Sequence, residues 1–305
     1  MTKNQSQENI FKFYRDIVPL SFILLVITLL RFPFLEIPLE RDEGSYAYIA
    51  QLILDGIPPY TEVYSLYFPG IFIIYALTFI IFGQTIFAIH LSLLIANLIN
   101  TIIIFLIGKK LYNSQTGIIS SASFGLLGLN PYAQGLFSHG EPFTMLFVCS
   151  GIYILLFSID SEKKSLFIWS GVFFGLGLLV KQSVLIFVGL PIGFLCWVLL
   201  KNFKEKDKFL GLLLFFILGY FIPLSFFFFF YLIMGLWDQM FFWTFIMPSE
   251  MTPQISIERI IQQFKILFIP IIKVSPLLFG LAVIGFLSPL WDKSSRSETT
   301  RCRVV

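Results

Sequence analysis

Apolar residues run through this chain in long unbroken blocks, not in the short periodic stripes of a soluble domain. A membrane-spanning helix takes about 20 apolar residues, with a range of about 17–25. On that measure spans are expected at about 17–34, 86–107, 117–136, 143–159, 209–233 and 266–290. The block from Leu166 to Leu200 is too long for one crossing, since 35 residues at about 1.5 Å each reach about 50 Å. Its only polar break is "VKQS" at 180–183, where it is expected to fold back as two short spans. Residues 69–82, "PGIFIIYALTFIIF", make only 14 residues, a length more typical of a re-entrant or interfacial helix. The pattern predicts an all-α integral membrane protein of about eight transmembrane helices, with juxtamembrane helices in the loop at about 35–85. A polar segment at 1–16 precedes the transmembrane domain at 17–290, and a polar tail, 291–305, follows it.

Between the first span and the juxtamembrane block stands "RDEGSYAYIAQLILDGIPPY", residues 41–60. Tyr46, Ile49, Ala50 and Ile53 recur three and four apart, so they share one helical face, which is expected to bed the helix on the bilayer. Asp42 suits the cap of a helix beginning near Glu43 or Gly44, and Gly56 with Pro58 and Pro59 suits its end.

Composition agrees with the pattern. The chain is 57% hydrophobic and 13% charged, where a soluble domain is about 45–50% apolar and about 25% charged. A net charge of +3 is too small to suggest nucleic acid as a partner. Cys149, Cys196 and Cys302 stand apart with no CxxC and no nearby His, so neither a disulfide framework nor a metal site is expected. Lys and Arg concentrate on the cytoplasmic side of a membrane protein. With the N-terminus cytoplasmic and 69–82 not crossing, 15 of the 21 basic residues fall inside. With the N-terminus outside and 69–82 crossing, the split is 14 against 7, and charge alone leaves the two arrangements open.

The acidic pair Asp42 and Glu43 opening the first loop, the aromatic-bearing amphipathic helix and the Pro-anchored apolar helix after it resemble the GT-C superfamily of membrane glycosyltransferases. The resemblance is to the polyprenyl-phosphate-sugar-dependent branch that holds protein mannosyltransferases and the lipid A aminoarabinose transferase. It is strongest over 39–83 and weak after about 235. It implies a first loop facing away from the cytoplasm, which selects the arrangement with the N-terminus inside and 69–82 juxtamembrane. It also implies transfer of a sugar from a polyprenyl-phosphate donor to an acceptor hydroxyl on a glycan, lipid or protein at the extracytoplasmic face of the cell membrane. No cofactor and no metal ion are expected. Two acidic positions carry over: Asp42, with Glu43 beside it, as catalytic, and Glu141 in "SHGEPF". Relatives commonly have a basic residue just before the Pro that opens the juxtamembrane helix. This chain has Tyr67 and Phe68 there, so a phosphate contact must come from elsewhere. The tail at 291–305 reads as the product of truncation or fusion, without the relatives' usual C-terminal spans or outer domain.

Such a transfer needs a base near the acceptor hydroxyl and positive charge near the departing phosphate. Asp42 is the candidate base. Lys181, in the polar break and outside against the charge bias, is either the phosphate's cation or a side chain reaching for lipid headgroups. Arg41 is either a phosphate ligand or an ion-pair partner of the neighbouring acids. Glu141 and His139 at the outer end of a span, and Tyr46 one turn from Asp42, complete the candidate substrate-binding set. Trp237 and Trp243 fit an interfacial belt. The competing readings are a lipid or solute transporter, which would place ionisable groups near mid-membrane and show repeated halves, and an inactive glycosyltransferase fragment. No P-loop, HExxH or nucleophile elbow is present.

Overall fold

The computed structural model describes residues 3–161, 163–189, 192–193, 206–251 and 256–287, and among them there are helices and turns but no strand. The helices are α1 (Lys3–Arg31), α2 (Arg41–Leu54), α3 (Gly70–Phe82), α4 (Ile86–Leu111), α5 (Ser114–Leu127), α6 (Gly140–Ser161), α7 (Lys164–Val180), α8 (Lys206–Ile233), α9 (Trp237–Phe241), α10 (Met247–Met251), α11 (Ile257–Val274) and α12 (Pro276–Leu287). Residues 242–246 continue α9 as a π-helical turn.

Four stretches are long and apolar enough to cross a membrane among the described residues: Tyr14–Phe34, Ile86–Leu111, Gly140–Ile159 and Leu210–Ile233. A bent helix pair would make a fifth, and the described residues do not confirm the eight expected. The expected span at 117–136 stops at Leu127, because Gly128 and the Asn130–Pro131 pair turn the chain into a short 3-10 helix. Proline has no N–H to continue the ladder, and the 14 residues of α5 reach about 21 Å against a hydrocarbon core of about 30 Å. The expected span at 266–290 is two helices bent by 98° at Ser275, where Pro276 opens α12. The block at 166–200 breaks at Lys181–Ser183 as its polar residues predict, and residues 184–189 are helical again. The rest of its second half lies outside the described residues, as does the tail at 291–305. The expected juxtamembrane block is α3, apolar on every side and only 13 residues long.

The described chain forms two compact units. One takes in the residues up to Leu35, Asn97–Leu136 and the helices from Ile261. Its turn after α5 is held by Arg31, 4% exposed, which donates to the carbonyls of Gly128 at 2.7 Å and Gly135 at 2.8 Å. Asp16 pairs with Lys109 at 2.7 Å.

The other unit takes in Glu36–Ala96 and Phe137–Ile260. Here α7 and α8 pack backbone against backbone. A Cβ on Gly171 would stand 2.1 Å from the Phe216 carbonyl, and one on Gly219 would stand 2.1 Å from that of Ile168. Small residues permit this approach between helices in lipid, where packing replaces the hydrophobic effect as the driving force. Phe167, Phe174, Phe216, Phe227 and Tyr231 fill the seam. A second cluster joins α2 and α3 through Tyr46, Ile49, Ala50, Ile71, Phe72 and Tyr75. The apolar face of α2 therefore rests on protein and not on the bilayer, with Ile49 1% and Ala50 0% exposed.

Candidate functional site

The site grows from the start of α2. Its N-cap is Glu40 and not Asp42: the Glu40 Oε2 accepts the Asp42 N–H at 2.8 Å, and the Glu43 Oε2 accepts the Glu40 N–H at 2.8 Å. This reciprocal capping box satisfies two amides that every helix start leaves without partners. Two carboxylates do this work, so Asp42, at the second helical position, is spared it. Gly56, at φ +82°, ends the helix as its sequence predicts. Asp42 keeps 31% of its side chain exposed and its Oδ1 meets Arg41 at 3.2 Å. Arg41, 88% exposed, thus takes the ion-pair arrangement of the two its sequence allows. Exposed pairs of this kind contribute about 0–1 kcal/mol.

Glu43 turns inward and is fully buried. Its Oε1 accepts the Ser138 N–H at 2.5 Å and lies 3.2 Å from Nε2 of His90 on α4. Burial raises the Glu43 carboxyl, and the hydrogen bonds from His90 and from the Glu40 and Ser138 amides outweigh it, so the group stays below its usual range. The Asp42 N–H likewise holds Glu40 low, against partial burial and with help from His139. His139 sets its Nε2 3.2 Å from Glu40 Oε2 and stacks on Phe137 at 5.7 Å. One ligand atom each from Glu40, Asp42 and His139 lie within 4.8 Å of one another, a spacing at which the three could hold a cation.

Lys181 ion-pairs with Glu141, which stands in the first turn of α6. It takes up the C-cap position of α7, and the neighbouring Gln182 side chain donates to the Leu66 carbonyl at 2.8 Å. The end of α7 is fixed from below by Gly70, where a Cβ would stand 2.5 Å from the Leu179 carbonyl carbon. Tyr46, 5% exposed, packs edge-on against Tyr67 at 5.8 Å and Tyr75 at 5.7 Å. Burial, then Tyr67, Asp42 and Glu141, push its phenol well above its usual range, so it stays neutral and within reach of both carboxylates' fields. The Tyr75 hydroxyl donates to the Ser138 carbonyl at 2.6 Å.

Of the residues singled out by sequence, Arg41, Asp42 and His139 thus gather around Glu40, Lys181 and Glu141 form a pair, and Glu43 lies beneath. Glu40, His90, Ser138 and Tyr75 escape a reading of the sequence. For His90 a signal existed, since an ionisable residue inside an apolar span is costly without a role. Beside the Lys181 end of α7, a groove of about 690 Å³ runs between α3, α7, α8 and the chain after α2, with Ile57, Pro59, Ile73, Leu179, Phe226 and Phe230 among its walls.

The site is thus an acidic, partly open one carried on apolar helices, and the family comparison gives its class, a membrane glycosyltransferase. The profile of the dolichyl-phosphate-mannose-protein mannosyltransferase family matches residues 68–227. That is more than half of the chain, and the protein belongs to this family. The match includes His139, Glu141 and Lys181 and starts after Asp42 and Glu43. No curated protein and no solved structure matches the chain.

Proposed function

We propose that this protein transfers a sugar from a polyprenyl phosphate to an acceptor hydroxyl at the extracytoplasmic face of the cell membrane. The observation that carries this reading is that Asp42 is left half-open beside His139, because Glu40 takes over its capping duty. The Asp42 carboxylate accepts the acceptor's proton as its oxygen bonds to the anomeric carbon. The bond from that carbon to the phosphate oxygen breaks, and the polyprenyl phosphate leaves with the electron pair. Lys181 neutralises the departing phosphate, exchanging its partner Glu141 for it in part. Such preorganised charge is worth most where water is scarce. Leu179, two residues before Lys181, lines the groove, and its almost wholly apolar wall suits an isoprenoid tail. The donor's sugar follows from the family name only as a class, a hexose on a dolichyl-type phosphate, and the acceptor is a glycan, lipid or protein. The reaction calls for no cofactor.

The decisive assay uses purified protein in detergent with a radiolabelled polyprenyl-phosphate hexose and short acceptors. Asp42→Asn keeps the side-chain shape and leaves the cap to Glu40, so the protein should fold as before while transfer falls by about 10²–10⁴-fold, the usual share of a general base. Near-normal transfer by folded Asp42→Asn would remove Asp42 from the chemistry.

A further inference from the structure

Glu43 stands beside Asp42 in sequence and faces the other way in space. Its side chain is fully buried, and it binds three segments at once. Oε2 takes the Glu40 amide that opens α2. Oε1 takes the Ser138 amide in the turn before α6 and meets His90 on α4. Ser138 precedes His139 and stands three residues before Glu141, so the turn it anchors carries two of the site's polar side chains. Its carbonyl is held from the opposite side by the Tyr75 hydroxyl at 2.6 Å. A second link between the start of α2 and this turn, from His139 to the Glu40 carboxylate at 3.2 Å, is not buried.

A carboxylate in this place does two things that an apolar residue could not. It satisfies the buried Ser138 amide and the half-buried Glu40 amide, donors that are costly to leave without a partner. It also fixes the distance between the helix that presents Asp42 and the turn that presents His139 and Glu141. A displacement of about 1 Å at a reacting centre costs about a hundredfold in rate. The protein therefore has a strong reason to place a charge where no substrate reaches it.

We propose that Glu43 is a positioning residue: by clamping the Ser138 turn and His90 to the start of α2, it sets the spacing between Asp42 and the His139–Glu141 turn. The proposal rests on Asp42 acting as the base, and it divides the acidic pair into one group that reacts and one that holds.

Glu43→Gln replaces the carboxylate by one neutral acceptor oxygen, so in either orientation the Ser138 amide loses its charged acceptor. In hydrogen-exchange mass spectrometry of the purified protein, amides 138–141 should exchange about ten- to a hundredfold faster, the factor carried by a lost hydrogen bond to a charged acceptor. The rest of the chain should stay protected. Turnover per folded molecule should drop by a similar factor with donor KM held, and Glu43→Asp should recover part of it. In an Asp42→Asn background, Glu43→Gln should lower transfer no further, because residues acting as one unit do not add. If Glu43→Gln does not fold, His90→Gln removes one contact of the clamp and should raise exchange at 138–141 by a smaller factor. Unchanged exchange at that turn in the folded variant, or a further multiplicative loss in the double variant, overturns the proposal. Exchange requires no donor. Wild-type protein that transferred no sugar would thus count against the glycosyltransferase reading alone, leaving the clamp to be judged by the turn.

Discussion

Asp42 and Glu43 are neighbours in the chain and live in different media, one at the surface and one without solvent. In the proposed reaction Lys181, paired with Glu141 at the end of α7, is the cation assigned to the donor phosphate. Lys181→Met keeps the apolar stem and removes the charge. It should weaken donor-lipid binding by about ten- to a hundredfold with Lys181→Arg restoring part. Unchanged donor affinity in Lys181→Met would return that side chain to a purely structural pair with Glu141. Acid supplies another test. Glu40 and Glu43 are held below their ordinary carboxylate range when folded. Their contribution to stability is therefore fully present above the unfolded value of about 4.3 and is lost as pH falls through the lower folded values. The melting temperature should stay level in this respect at neutral pH and fall below about pH 4. Glu40→Gln with Glu43→Gln should flatten part of that acid slope, and an unaltered slope would show that other groups govern it.

At the scale of elements, α2, α3 and α7 meet where side chains leave no room for error. Gly70 brings the first turn of α3 onto the Leu179–Val180 backbone, and a Cβ there would stand 2.5 Å from the Leu179 carbonyl oxygen and 2.7 Å from the Val180 nitrogen. Backbone cannot yield as a side-chain tip can. Gly70→Ala should cost about 1–3 kcal/mol, as overpacking does, and should shift Lys181 at the end of α7, raising donor KM more than the stability loss alone explains. A thermal melt and donor kinetics on the same preparation check both parts. The groove makes a second claim at this scale. Ile73 lines it and is 47% exposed, so Ile73→Trp should fold and fill it. Transfer from a long polyprenyl donor should fall while transfer from a short-chain analogue is preserved. Equal effects on both donors would mean the tail lies elsewhere.

For the whole molecule, orientation in the membrane carries the function, since the reaction proposed above is extracytoplasmic. The arrangement that would put 15 of the 21 basic residues in the cytoplasm predicts that reporter fusions after residue 60 and after residue 205 read out on opposite sides, the first outside. Matching sides would put Asp42 in the cytoplasm and end the proposal. The apolar surface fits this setting: Phe226 is 77% exposed, Ile80 66% and Phe22 66%, residues that water would not tolerate in such number over one chain.

Sequence by itself determined the solvent, the helical class and the break at Lys181, because length and hydropathy are sums over local residues. It also supplied the family resemblance and brought forward Asp42, Glu141, His139 and Lys181. Local hydropathy gave no sign of where a single proline or glycine would interrupt an apolar run, as at Pro131 and Pro276. What belongs to tertiary structure is the division of labour among acids that look alike in a row. Glu40, Asp42 and Glu43 have the same chemistry on paper. Only the fold gives Glu40 an amide to cap and Glu43 the Ser138 turn and His90 to hold. Asp42 is left facing out, because hydrogen bonds to partners 47 and 95 residues away are not written in any local pattern.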